Sequence, residues 1–255
     1  MLRSRIIPCL LVHKGGLVKT TKFRDPKYVG DPINAVKIFN EKEADELIVL
    51  DIDASVEGRE PDYAMIEHLA YECRMPFCYG GGIKTAEQAL RIIKLGVEKV
   101  ALSSAAIETP EVLQEIAKTA GQQSVVAVID VKRTLFGSYE IFTHNGKRKI
   151  KAELSELLAS LQNLGVGEIV INSIDRDGTM KGYDAALVQR VRDAVDVPIT
   201  VLGGAGSLDD LRNLVSSYKV IGASAGSLFV FKGPYRAVLI NYPRPNEIQQ
   251  ITAVG

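Results

Sequence analysis

Apolar residues in this chain fall into short, nearly continuous runs separated by segments with helical spacing. The runs at 6–12, 46–53, 75–78, 97–102, 124–130, 167–174, 197–202 and 219–223 each have the length and character of a parallel strand buried on both faces. Between them lie helix signals. Asp31-Pro32 supplies a cap and a first-turn proline, and Pro61 precedes an apolar face of Met65, Ile66, Leu69 and Ala70. Residues 86–95, 151–164, 183–195 and 207–217 read as helices, and Thr109-Pro110-Glu111 opens another. Residues 131–150 form a longer connection whose alternating Tyr139, Ile141 and Thr143, followed by Asn145-Gly146, predict a β-hairpin. Pro234, Pro243 and Pro245 argue against a long regular last helix.

Eight strands alternating with helices predict an α/β fold with a parallel sheet, closed as a (β/α)8 TIM barrel. A doubly wound open sheet is the alternative, and strand number and length favour closure. No linker or low-complexity segment intervenes, so residues 1–255 are expected to form one domain. The two halves echo each other. Residues 46–53 resemble 168–175, and Gly81-Gly82 resembles Gly203-Gly204, both 122 positions on (46 to 168, 81 to 203). Residues 6–12 resemble 125–131, 119 positions on. This is a twofold repeat of half-barrels, roughly 1–120 and 121–240.

The repeat brings out the chemistry. Tyr79-Gly80-Gly81-Gly82-Ile83-Lys84-Thr85 and Leu202-Gly203-Gly204-Ala205-Gly206-Ser207 both place glycines between a strand and a helix start. That geometry suits a phosphate, because the backbone can approach the anion closely and the helix start offers free N–H groups. Two such turns predict a substrate with a phosphate at each end. Ser103 and Ser104 after strand four, and Ser224 and Ala225 after strand eight, are expected to complete the two cups. Asp130 ends strand five, and Asp177 lies just past strand six in Asp177-Gly178-Thr179. Two carboxylates across a barrel mouth can serve as general acid and base; a plain turn with a helix cap is the alternative for the second. Lys19, in the first loop, is placed to clamp a phosphate or else to remain solvated. At the other end Arg5, Glu46, Lys99 and Glu168 stand near the starts of strands one, two, four and six. Charges entering apolar strands must be paired or hydrated. They form either a sealing salt-bridge layer or a gate for a small polar molecule.

Composition adds mainly exclusions. Thirty-one basic and 31 acidic residues cancel, so nothing calls for nucleic acid or an acidic membrane. Cys9, Cys73 and Cys78 lack metal-ligand spacing, and Cys9 and Cys78, in apolar runs, read as reduced core thiols. No metal or cofactor is expected. The N-terminal apolar run is too short for a signal peptide or membrane span, which points to the cytoplasm.

Arg5-Ile6-Ile7-Pro8-Cys9-Leu10, Asp45-Glu46-Leu47, Asp51, Gly80-Gly81-Gly82-Ile83, Asp130, residues 165–169 and 175–179, Gly182-Tyr183-Asp184 and Gly203-Gly204-Ala205-Gly206 together resemble the cyclase subunit of imidazole glycerol phosphate synthase over nearly the full length. The resemblance implies a twofold (β/α)8 barrel with a two-phosphate substrate. It also implies a glutaminase subunit at the barrel bottom, and ammonia passing a gate made by Arg5, Glu46, Lys99 and Glu168. Asp130, Asp177 and Lys19 match the family's site, with Gly82, Ser103, Ser104, Thr179, Gly203, Gly204 and Ser224 around the substrate. The family's first catalytic aspartate falls at Leu11 and its asparagine after strand four at Ser103, and the proline-bearing tail takes the place of its closing helix. The pattern is similar to a divergent branch working with a glutaminase and a sugar amidotransferase in surface-polysaccharide pathways. Three functions therefore stand: an ammonia conduit for sugar amidation, a cyclase of histidine biosynthesis, and a stand-alone sugar-phosphate isomerase.

Overall fold

The computed structural model of the chain describes residues 3–253. Eight parallel strands form the central sheet: β1 (Arg5–His13), β2 (Leu47–Asp51), β3 (Phe77–Gly80), β4 (Lys99–Leu102), β5 (Val125–Arg133), β6 (Glu168–Ser173), β7 (Ile199–Leu202) and β8 (Gly222–Ala225). Each pairs with the next, β8 pairs with β1, and β5 pairs with β6 from Glu168 opposite Val126 to Ser173 opposite Val131, so the sheet is closed. Among the described residues, eight helices of eight residues or more surround it: α1 (Pro32–Glu41), α2 (Tyr63–Glu72), α3 (Ala86–Lys94), α4 (Glu111–Ala120), α5 (Leu154–Asn163), α6 (Ala185–Ala194), α7 (Leu208–Tyr218) and α8 (Pro245–Thr252). This is the (β/α)8 barrel that the alternation predicts.

Strand pleat divides the buried residues into two sets. Outward-facing Ile6, Leu10, Val49, Tyr79, Val100, Ile129 and Ile171 pack with the helices. Inward-facing Ile7, Cys9, Ile48, Cys78, Ala101, Val126, Val128, Val170 and Leu202 fill the barrel. The helices start where local chemistry demands. Asp31 accepts from Asn34 N at 2.9 Å with Pro32 following it, and Asp62, rather than Pro61, caps α2 by accepting from Met65 N at 3.0 Å. Thr85 with Gln88, and Ser207 with Asp210, form capping boxes directly after the two glycine turns. Among the described residues no helix is long and apolar enough to cross a membrane.

Two features differ from the sequence reading. The segment after Gly15-Gly16 is an antiparallel hairpin, Gly16–Thr21 with Arg24–Gly30, paired to the end of β1 from Leu11 opposite Val18. It mirrors the expected hairpin after β5, Tyr139–Thr143 with Arg148–Ile150. Lys19 therefore sits on a strand. The tail also contains a closing helix. Pro245 occupies the first turn of α8, where a missing N–H costs nothing, and Ile248 and Ile251 are buried.

Tyr242 anchors this tail. Its ring packs against Phe39 and Phe229, and its hydroxyl donates to Ile6 O at 2.8 Å while accepting from Asp45 N at 3.1 Å. Tyr242→Phe leaves both backbone groups short of a partner, which costs roughly 1–3 kcal/mol. The urea midpoint is expected to fall accordingly with an unchanged slope.

Candidate functional site

A cleft of about 1050 Å³ opens at the C-terminal ends of the strands. Lys19, Ser103, Ser104, Asp130, Asp177, Gly203 and Gly204 all line it, so the fold gathers residues that the sequence scatters over 186 positions (19 to 204). Gly82 lies in an adjoining recess with Ser104 and His144. Both glycine turns require glycine. Gly81 has φ +126°, and a Cβ there would lie 2.5 Å from Asp51 O. Gly203 has φ +92°, and a Cβ there would lie 2.7 Å from Ser173 O.

Asp130, on β5, is buried and accepts from Asn172 Nδ2 on β6 at 2.9 Å. Burial pushes its carboxyl up to about 7; Asn172 pulls the other way, and the nearby Asp177 adds to the rise. Asp177 is also raised by burial, against the opposing pull of Thr20, Phe23 N, Lys19 and Arg236. It accepts from Thr20 Oγ1 at 2.7 Å and from Phe23 N at 3.1 Å, so the first hairpin holds it in place. Lys19 is buried on that hairpin, donates to Cys9 O and lies against Gly226. Burial lowers its pKa despite Cys9 and Asp177. A site with two raised carboxyls and one lowered ammonium is equipped for proton exchange near neutral pH.

The expected residues do not all converge. Ser224 misses the cleft, because its hydroxyl is fully buried and donates to Ile7 O at 3.0 Å. Ser227 lines the cleft instead; it begins the short helix Ser227–Val230 as Ser104 begins Ser104–Glu108, 123 positions apart (104 to 227). Thr179 turns its hydroxyl back onto Arg176 O at 2.8 Å and does not line the cleft. Three further residues have no place in the sequence reading. Asn172 is a polar member of an apolar run, His144 opens the turn of the second hairpin, and Arg236 donates to Gly178 O at 3.1 Å and Ser227 Oγ at 3.4 Å. Only Asn172 left a visible signal, a buried-strand position occupied by an amide. Opposite Asp130 and Asn172, the repeat places Leu11 and Leu50, paired with each other across β1 and β2.

At the other end the four charges close a ring. Arg5 pairs with Glu46 and, at 2.8 Å, with Glu168; Lys99 pairs with Glu46 at 2.8 Å and Glu168 at 2.9 Å. Thr200 Oγ1 donates to Glu168 at 2.5 Å. Burial would lower both cations, but the glutamates raise Arg5 and Lys99, and the cations hold Glu168 down in spite of its burial. Between ring and cleft lie mostly apolar side chains, with the Ser224 hydroxyl and the thiols of Cys9 and Cys78, both free and driven upward by burial.

The class is thus a closed (β/α)8 barrel with a polar cleft at the strand C-termini and an ion-pair ring at the opposite mouth. A family profile described as "Histidine biosynthesis protein" matches residues 5–235. The chain is 61% identical to a Vibrio vulnificus protein provisionally named imidazole glycerol phosphate synthase subunit hisF3, over 97% of this chain and 95% of that one. It is 53% identical to a Pseudomonas aeruginosa protein provisionally named subunit hisF2, over 97% and 99%. It is 43% identical to the imidazole glycerol phosphate synthase subunit HisF of Exiguobacterium sibiricum, over 83% and 84%. The chain belongs to the HisF family of imidazole glycerol phosphate synthase subunits.

The raised Asp130 carboxyl carries a stability consequence. Its folded-state pKa of about 7 exceeds the ordinary value of 3.8, so the folded chain binds the extra proton between these limits. Stability from this group is therefore present at low pH and lost as pH rises through 7. Asp130→Asn removes the loss. Its melting temperature is expected to exceed that of the parent at pH 8 by several degrees, a 1 kcal/mol change being worth about 2–4 °C at this size. The difference should shrink as pH falls towards 4, as scanning calorimetry would show.

Proposed function

We propose that this chain is the barrel half of a two-part amidotransferase, receiving ammonia at its lower mouth from a glutaminase subunit. The ring of Arg5, Glu46, Lys99 and Glu168 is the gate, and the apolar interior is the conduit. The upper cleft binds a phosphorylated ligand at the Gly81-Gly82 and Gly203-Gly204 turns, with Ser104, Ser227 and Lys19 beside them. The acceptor of the nitrogen is a sugar of a surface polysaccharide, held with the help of a sugar amidotransferase, and not the substrate of the histidine-pathway cyclase.

The observation that carries this reading is the contrast between the two ends of one barrel. The ring is complete, with each charge bonded to two of opposite sign. Of the two upper strand ends related by the repeat, at positions 11 and 130, only the second carries an acid. Leu11 occupies the strand end related by the repeat to Asp130, and leucine neither gives nor takes a proton. Loss of one positioned acid or base typically costs ~10²–10⁴ in rate. His13, two residues beyond Leu11, is bound to Asp53 Oδ1 at 2.8 Å, which holds it away from that role. The competing reading, a working cyclase, is favoured by the convergence of Lys19, Asp130 and Asp177 in one cleft.

Two measurements test the proposal. In the complex with a glutaminase subunit, Lys99→Ala should let glutamine hydrolysis continue while transfer of its nitrogen falls. The ring loses its bridge between Glu46 and Glu168, leaving buried carboxylates short of a partner. Unchanged coupled turnover would make the ring purely structural. Given ammonia and the histidine-pathway substrate, the parent chain should turn over slowly or not at all, and Leu11→Asp should raise the rate by ~10²–10⁴. Full cyclase turnover by the parent, or complementation of a histidine auxotroph, would overturn the sugar-amidation reading and restore the cyclase.

A further inference from the structure

The chain is neutral as a whole, but its charges are unevenly spread. Three antiparallel hairpins stand at the C-terminal mouth of the barrel: Gly16–Thr21 with Arg24–Gly30 after β1, Tyr139–Thr143 with Arg148–Ile150 after β5, and Phe231–Lys232 with Ala237–Val238 after β8. Residues 16–30, 131–150 and 231–238 hold eleven of the 31 basic residues and two of the 31 acidic ones, a net +9; the rest of the chain holds 20 and 29, a net −9. Arg148 and Lys149 are bound to Glu108 and Glu140. Lys22, Arg24, Lys132, Arg133, Lys147 and Lys232 are exposed, and among the described residues none of them is in an ion pair. The hairpins form one rim. A Cβ on Gly146 would lie 3.0 Å from Phe23, and Lys27 and Arg236 both lie over the Phe231 ring, at 5.2 and 4.6 Å from its centre.

The same rim exposes large apolar side chains. Leu135 and Phe136 are fully exposed, and Tyr235 nearly so. The first hairpin turns through Lys14-Gly15 alone, since His13 is opposite Gly16, whereas its counterpart turns through 134–138, with Arg133 opposite Tyr139. The three extra residues equal the shift in the repeat, from 119 positions between β1 and β5 to 122 between β2 and β6. Leu135 and Phe136 thus stand in a turn that the first half keeps short, and no core packing holds them. β5 runs on past Asp130 to Arg133 before it turns, which carries them roughly 10 Å beyond Asp130 at about 3.3 Å per residue.

We propose that this rim docks on an anionic lipid surface, with Leu135, Phe136 and Tyr235 entering the headgroup layer and the basic residues around them meeting lipid phosphates. Docking at this face does not rest on the conduit reading, because the ion-pair ring lies at the opposite mouth. Charge and side-chain type together select the occupant. Basic residues alone would steer an anionic ligand into the cleft, but steering gives no role to exposed leucine and phenylalanine. A protein partner fits less well, since lysine is depleted from protein interfaces and their apolar anchors cluster near one centre. Here the apolar tips rise from separate hairpins, each with cations beside it: Lys132-Arg133 before Leu135, and Lys232 and Arg236 on either side of Tyr235. Separate apolar tips in a basic rim suit a bilayer surface, where buried apolar area and attraction to anionic lipids add. A chain docked in this way turns its cleft to the headgroups, so an acceptor carried on a lipid is presented directly to it.

The chain contains no tryptophan, so one introduced at a tip reports its own surroundings. Phe136→Trp is mixed with vesicles of phosphatidylcholine alone, or of phosphatidylcholine with an equal part of phosphatidylglycerol. Its emission is expected to shift to the blue, and to be quenched by brominated acyl chains, with the anionic vesicles only. Tyr71→Trp, exposed six residues before the start of β3 (71 to 77) and so towards the opposite mouth, should show neither change. In co-sedimentation the parent should bind the anionic vesicles, and less so as salt rises. Lys132→Gln with Arg133→Gln should weaken binding about 25-fold, at about fivefold for each basic residue near an anionic surface. Leu135→Ser with Phe136→Ser should weaken it by about tenfold or more. Every substituted side chain is exposed, so circular dichroism should match the parent throughout. Failure of the parent to bind anionic vesicles, equal binding to neutral ones, or parental affinity in either double variant would overturn the proposal. So would self-association of the parent that Leu135→Ser with Phe136→Ser abolishes, which would assign the tips to a protein contact.

Discussion

Pairing of β5 with β6 closes the sheet, and the barrel interior takes its layout from that pairing. It is the longest parallel register in the barrel, running from Glu168 opposite Val126 to Ser173 opposite Val131. A one-residue slip would exchange the inward and outward sets along β6. Glu168 would leave the ring, Val170 the inner layer and Asn172 the side of Asp130. The register is protected because both sets are buried: Ile169 and Ile171 pack outward among helices, and Val170 packs inward. The ion pair, the inner apolar layer and the acid are consequently three levels of one strand pair, and none can be displaced without the others.

The lower ring is stable because it is cyclic. An isolated buried ion pair often fails to recover its desolvation cost. Here each of four charges meets two opposite ones, and Thr200 satisfies a further lone pair of Glu168. Removing one member strands two carboxylates or two cations, so the ring is far more sensitive to deletion than to rearrangement. Arg5 and Lys99 retain some exposure, at 25% and 18% of their side chains, whereas Glu46 and Glu168 retain 4% and 6%. The cations therefore lie nearer solvent than the glutamates.

Most of the fold was legible because parallel strands buried on both faces leave continuous apolar runs, and the helix starts carry caps. The first hairpin was not legible: Lys19, Thr20 and Thr21 are polar on a strand whose burial comes from tertiary contact with Asp177 and Cys9. The tail misled for a different reason. Prolines argue against helix interiors, yet Pro245 stands at a helix start. In the site, Asp130, Asp177 and both glycine turns were readable from their places after strands. Ser224 was misread because the inferred strand end was placed too early: β8 continues to Ala225, which buries Ser224 within the barrel and leaves Ser227 at the cleft. Asn172 shows locally only as an amide in a buried strand, its partner Asp130 lying 42 residues away (130 to 172), and the Arg236 contact across 58 residues (178 to 236) leaves no local pattern.

The twofold repeat shows how an apolar pair in one half and a polar pair in the other fit the same barrel. Corresponding positions in the two halves do not touch the same neighbours: Leu11 pairs with Leu50, and Asp130 pairs with Asn172. Each pair is self-consistent, apolar with apolar and acceptor with donor. An aspartate at position 11 would face Leu50 and would have no amide to orient it or moderate its burial. The burial that lifts Asp130 to about 7 would act on such an acid without the opposing pull of Asn172. Substitution by leucine therefore relieves a stability cost on one side while the other side keeps its acid and its amide. Symmetry supplies two equivalent positions, and packing lets them differ independently, one as an apolar wall and one as a polar wall of the same cleft.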